Sequence, residues 1–123
     1  MTHQRLSDMI GGWFVGDFEP TCLRTAACEV ACKSYPAGAR ESAHVHRVAT
    51  ELTVVASGRV RMAGREFAAG DIVVLAPGEP SDFEALEPTI TVVVKLPSVR
   101  GDKYPAVLGS PAAGGGAGQE AER

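Results

Sequence analysis

Aromatic residues are scarce in this 123-residue chain, which holds one Trp, two Tyr and four Phe. Its length calls for one hydrophobic core, so a single domain is expected and two are excluded. Cysteine is scarcer still: Cys22, Cys28 and Cys32 form an odd set without Cys-x-x-Cys spacing. That excludes a disulfide framework and a zinc knuckle and leaves reduced thiols serving as small core residues. No apolar run approaches the ~18 residues of a membrane-spanning helix. The start, Met1-Thr2-His3-Gln4-Arg5-Leu6-Ser7-Asp8, lacks the apolar stretch of a secretory signal, so a cytoplasmic location is expected. There is no basic run either, and 12 Lys+Arg against 15 Asp+Glu give a net charge of −3. Nothing here would release counterions from a phosphate backbone, which argues against a nucleic-acid partner. What is present, 45% hydrophobic and 22% charged residues, is enough apolar material for a packed core and excludes disorder of the whole.

Residues 109–123 hold five of the fourteen glycines and no large apolar side chain. Such a segment cannot offset its ordering entropy by burial, and a disordered Gly/Ala-rich tail is expected there. Residues 1–108 then form the domain, with an N-terminal extension. Between residues 28 and 96, runs rich in Val, Ile, Thr and Phe are cut by Gly or Pro: Glu29–Tyr35, 52–56, Arg59–Met62, 66–67, Ile72–Leu75, 83–86 and 90–96. Short runs at regular spacing predict an all-β, antiparallel sandwich or barrel. Ser57-Gly58, Ala63-Gly64 and Pro77-Gly78-Glu79-Pro80 supply the turns. The apolar segment Met9-Ile10-Gly11-Gly12-Trp13-Phe14-Val15 reads as an edge strand, either packed on the core or forming a dimer contact.

His44-Val45-His46 puts two of the three histidines at i and i+2, one face of a strand, and Glu51 follows after a short spacer. Three metal-ligand types thus converge. Spacing alone fits equally well a strand with two solvated histidines on its polar face. The flanks carry more: Gly38, five residues, His44, one residue, His46, four residues, Glu51, six residues, Gly58. This series resembles the first motif of the cupin superfamily, and Gly70-Asp71-Ile72-Val73-Val74-Leu75-Ala76-Pro77-Gly78 is similar to part of its second, with Ala76 where a proline is usual. Small stand-alone bacterial cupins are the nearest likeness, through 49–55, 82–86, 92–95 and Gly101-Asp102-Lys103-Tyr104. The resemblance implies a conical antiparallel β-barrel of the double-stranded β-helix, jelly-roll type. It also implies that His44, His46 and Glu51 point inward around one divalent metal ion.

Three residues after Gly78, where the resembling family carries its last metal-binding histidine, stands Ser81. Phe83 is large and apolar, so strand alternation turns Ser81 inward with it and Asp82 and Glu84 outward; Asp82 replaces the ligand only through a bulge. Two imidazoles and one carboxylate leave coordination positions open and suit Fe(II), Mn(II), Zn(II) or Ni(II). An isomerase, lyase or dioxygenase acting on a small organic molecule is then expected. Glu51 stands at the reacting centre, Tyr35 or Glu41 moves the proton, and Arg40 and Lys95 are further candidates for polar lining. The competing reading is a non-catalytic module that binds a small ligand and assists a partner enzyme. A homodimer is expected from Ile10, Trp13, Phe14 and Val15, and Met62 from the core.

Overall fold

Runs of β-branched residues interrupted by glycine and proline become strands here because each run has one face to bury. The computed structural model describes residues 1–108. Within them lie β1 (Trp13–Gly16), β2 (Leu23–Arg24), β3 (Glu29–Tyr35), β4 (Arg40–Val45), β5 (Thr50–Ser57) and β6 (Arg59–Met62). The chain continues through β7 (Arg65–Ala68), β8 (Ile72–Leu75), β9 (Ser81–Ala85), β10 (Thr89–Leu96) and β11 (Tyr104–Pro105). One sheet runs β2-β1-β3-β10-β5-β8 and the other β11-β4-β9-β6-β7. Every named strand pair is antiparallel except β1 with β2. The fold is the expected all-β, double-stranded β-helix barrel. The tail expected at 109–123 lies outside the described residues.

Alternation along β10 shows how the barrel fills: Thr89, Thr91, Val93 and Lys95 are buried, while Ile90 and Leu96 are exposed. One core cluster joins Val55, Val60, Met62, Phe83 and Ala85, with Tyr35, Phe67, Val73 and Leu75 packed against it. A second joins Trp13, Phe18, Ala31 and Val93. Fully burying a side chain such as Val55 or Phe83 stabilises the barrel by about 1.5–3 kcal/mol. Ala63-Gly64 turns β6 into β7 with φ of 49° and 80°, the double left-handed geometry that two-residue hairpins favour. At Gly58 (φ 94°) a Cβ would stand 2.5 Å from the carbonyl oxygen of Pro88, so only glycine fits.

Three expectations need correction. β1 is not an edge strand, since β2 covers its outer side, although its expected packing on the core holds, with Trp13 buried in the second core cluster. Of the apolar N-terminal residues Ile10 stays exposed, whereas Trp13 offers no surface for a dimer. The cysteines are free as expected, but none is in the core: Cys22 is exposed and Cys28 and Cys32 are half-buried. The strand β4 was not among the expected runs, because Arg-Glu-Ser-Ala-His-Val has no apolar alternation. Its inward side chains line a site instead of a core.

Candidate metal centre

The site is built around an irregularity in β4. Glu41 pairs with Phe83 and His44 with Ser81, so three steps along β4 match two along β9, a bulge. The bulge switches the parity of the strand, which lets Glu41, His44 and His46 all line one cavity. His46 falls just beyond the end of β4, and Glu51 enters from β5 in the opposite sheet. The ligand-type atoms of His44, His46 and Glu51 lie within 4.8 Å of one another. The two imidazole rings meet edge to face at 5.2 Å between centroids.

Each histidine is oriented by a backbone carbonyl, which can only accept, so the ring nitrogen facing it carries the proton. His44 Nδ1 donates to the carbonyl of Ser42 at 3.1 Å, and His46 Nδ1 donates to the carbonyl of Asp102. Both Nε2 atoms are thereby left as bare lone pairs, the tautomer a metal requires. His46 Nε2 sits 2.8 Å from Glu51 Oε1, yet it is buried without a properly angled hydrogen bond. Two electron-rich atoms this close and misaligned for a proton fit a shared cation, so the residues present suit a divalent ion.

Asp102 anchors this corner, and the sequence reading assigned it no role. Its Oδ1 accepts the N–H groups of Arg47 at 2.8 Å and Val48 at 3.2 Å, and its Oδ2 accepts that of Ala49 at 2.9 Å. The residue is buried, and it ties the segment after β10 to the turn that presents His46. That turn is also held from the other side, where Gly78 N–H donates to the His46 carbonyl at 2.7 Å.

Burial holds the His44 imidazole below its ordinary pKa, with Lys103 adding to the effect against the Ser42 carbonyl, so it stays neutral and able to bind a metal. Burial pushes the Glu51 carboxyl up, but without a metal the cationic forms of His46 and His44, together with Lys95, outweigh it and hold the carboxyl below the usual range. Lys95 is lowered by burial, an effect only partly offset by Glu29 and Glu51. Its ammonium lies 3.3 Å from Glu29 Oε1.

Tyr35 and Glu41 line the same cavity, and the Tyr35 hydroxyl donates to Glu41 Oε2 at 3.0 Å, with Lys33 Nζ 3.8 Å from that oxygen. Ser81 is buried and points inward as expected. The Asp82 carboxylate is engaged elsewhere, accepting the N–H of Ala63 at 2.9 Å. Arg40 does not line the cavity; it is exposed and pairs with Glu84 at 3.5 Å. The space enclosed is about 40 Å³. Residues the sequence did not single out for the site also line it, among them Lys33, Trp13, Thr53, Thr91 and Lys103.

Comparison with protein-family models finds no match, and comparison with curated proteins finds none. Solved structures do match. A protein with a double-stranded β-helix domain from Klebsiella pneumoniae is 26% identical over 60% of this chain and 66% of its own, with a TM-score of 0.58. KdgF from Halomonas sp. is 24% identical over 61% of this chain and 74% of its own, at 0.56. The DMSP lyase DddQ from Ruegeria pomeroyi is 18% identical over 80% of this chain but only 51% of its own, at 0.64. A sheet pair of this topology with two histidines and a glutamate converging at 4.8 Å defines a double-stranded β-helix with an enzyme-like metal triad. The chain has the double-stranded β-helix fold of the solved cupin structures it is similar to.

Proposed function

We propose that the chain is a divalent-metal-dependent enzyme acting on a small organic molecule as an isomerase, lyase or dioxygenase. The observation that carries this reading is the pair of histidines whose Nδ1 atoms are occupied by backbone carbonyls, leaving two bare Nε2 atoms beside the Glu51 carboxylate. His44, His46 and Glu51 would hold Fe, Mn, Zn or Ni. Such an ion supplies Lewis-acid polarisation of a substrate oxygen, or with iron a site for oxygen chemistry. The chain's own contribution to proton transfer is Glu41, which takes a proton while the Tyr35 hydroxyl, bonded to it at 3.0 Å, orients the carboxylate. The Lys33 ammonium, 3.8 Å away, balances the charge.

Ser81 beside His44 leaves the protein short of a fourth ligand, so coordination positions stay open for substrate. The same fold serves a DMSP lyase and a sugar phosphate isomerase, and the fold alone therefore does not choose the reaction. A cytoplasmic location belongs to the reading and is supported by three free thiols. Among the described residues no helix is long and apolar enough to cross a membrane.

Elemental analysis of untagged protein purified without chelator tests the proposal, followed by an oxygen-uptake screen. About one equivalent of Fe, Mn, Zn or Ni per chain is expected. Protein that takes up none of the four when offered them would leave a non-catalytic small-ligand-binding module as the better account.

A further inference from the structure

The cavity around the metal triad also contains polar atoms of a different kind. Trp13 and Thr91 both line it, 4% and 0% exposed, and Trp13 Nε1 and Thr91 Oγ1 are buried with no hydrogen-bond partner among the described residues. A buried polar group left unpaired costs about 1–3 kcal/mol, and folded proteins carry few of them. Two in one cavity, next to a triad of ligand-type atoms, point to a partner that comes from outside the chain.

The chemistry of that partner follows from what the atoms can do. The indole N–H only donates, so the partner must accept. Lys33 and Lys95 ammonium groups lie 5.5 Å and 4.8 Å from the centre of the Trp13 ring, and they too only donate. Each has a carboxylate nearby, Glu41 for Lys33 and Glu29 for Lys95, so the lysines by themselves do not make the cavity strongly positive. A divalent ion on His44, His46 and Glu51 tips that balance toward anions. The enclosed space, about 40 Å³, admits a group of a few heavy atoms and excludes a nucleotide or an oligosaccharide.

We propose that the cavity binds the carboxylate group of a small organic acid, whose oxygens accept from Trp13 Nε1 and Thr91 Oγ1 while Lys33 and Lys95 flank it. This deepens the metalloenzyme reading and rests on it for the location of the ligand. The otherwise unexplained indole then selects charge and acceptor geometry at the end of the substrate away from the reacting carbon.

The chain has a single tryptophan, so its indole N–H gives one ¹⁵N–¹H cross-peak. The experiment follows that peak in ¹⁵N-labelled full-length protein, Zn(II)-loaded and metal-free, titrated with acetate and malonate and, as controls, acetamide and inorganic phosphate. The expected result is a saturable shift with the carboxylates and none with acetamide or phosphate. Calorimetry should show carboxylate binding weakened about tenfold or more in Trp13→Phe, as for loss of a hydrogen bond to a charged group, and to a smaller degree in Thr91→Val. A peak unmoved by either carboxylate, or moved as much by acetamide or phosphate, overturns the proposal. So does unchanged binding in Trp13→Phe or, should that variant not fold, in Thr91→Val. Zinc uptake is measured on the same sample, which separates the two readings. Zinc bound with no carboxylate response sinks this inference alone, whereas a carboxylate response without zinc uptake sinks the metal centre alone.

Discussion

The backbone carbonyl of Asp102 accepts the Nδ1–H of His46 across 56 positions of sequence, while the Asp102 carboxylate receives the N–H groups of Arg47, Val48 and Ala49 immediately after that histidine. One residue thus fixes both the tautomer of an imidazole in the proposed metal centre and the turn that carries it. Asp102→Asn keeps the backbone carbonyl but has one acceptor oxygen where Asp102 has two, so one N–H of the turn meets an amide N–H₂ instead and the ring loses its fixed orientation. Metal affinity should fall by about 10–100-fold, the range for loss of a partner that orients a ligand. Competition with a chromophoric chelator measures it; affinity within twofold of wild type would show that the turn holds itself.

Ser81 faces His44 across the β4–β9 ladder and is buried, so an imidazole placed there enters the cavity next to the triad. Ser81→His should tighten metal binding about tenfold or more, equivalent to about 1.4 kcal/mol. Asp82→Ala should leave it unchanged, because that carboxylate is spent on the Ala63 N–H. His46→Ala should abolish stoichiometric metal with the barrel still folded by circular dichroism. If Asp82→Ala strips the metal and Ser81→His does nothing, the register of β9 in solution differs from the one described.

Much of the barrel was legible because Val-, Ile- and Thr-rich runs are punctuated by glycine and proline, and because Phe83 fixes which way Ser81 points. The triad was legible only when the spacing of His44, His46 and Glu51 was set beside the flanking Gly38 and Gly58 and the resemblance they carry. What stayed hidden has physical causes. β4 carries polar side chains on its inward face, so it lacks the apolar alternation that marks a strand. The bulge that turns Glu41 and His44 to the same cavity leaves no mark in the sequence. Asp102 reaches its partners from more than fifty residues away, and no local pattern announces it. Trp13 reads as packed on the core or as a dimer contact, and only the sheet order, with β1 between β2 and β3, decides for the core.

The homodimer remains a proposal, with a different surface from the one the N-terminal segment suggested. On the outer side of the six-stranded sheet Ile72, Val54 and Val92 are cross-strand neighbours, as are Val74, Leu52 and Val94, and Ile72 and Val74 are more than half exposed. No charged side chain interrupts these rows. An uncharged apolar face of this kind is complementary to a second copy of itself about a two-fold axis. Light scattering at micromolar concentration should give a dimer mass, and Val74→Lys a monomer with metal uptake intact. A monomeric wild type would discard the proposal.

Acid should destabilise the metal-free protein partly through Asp102. Burial pushes its carboxyl up, but the N–H groups of Ala49, Arg47 and Val48 and the charge of His46 outweigh that and hold it below the ordinary value of 3.8. The folded pKa is thus lower than the unfolded one. Above about pH 5 both states are ionised and the stabilising contribution is fully present. As the pH falls through 3.8 toward the folded value, the unfolded chain takes up the proton first and stability is lost. Asn at this position cannot titrate. The stability gap between wild type and Asp102→Asn should be about 1–3 kcal/mol near neutral pH, because Asn offers one acceptor oxygen in place of two and a buried N–H such as that of Ala49 is left without its carboxylate partner. It should narrow steadily below about pH 5, as the carboxyl of the unfolded chain takes up its proton before the folded one does. Glu51, also held below the usual range chiefly by His46, adds acid sensitivity of the same sign, and Asp102→Asn diminishes that part as well by loosening the His46 ring. Urea unfolding at a series of pH values reads the gap directly, and a gap that stays constant down to about pH 3 would mean that the Asp102 carboxylate gains nothing from the turn it caps.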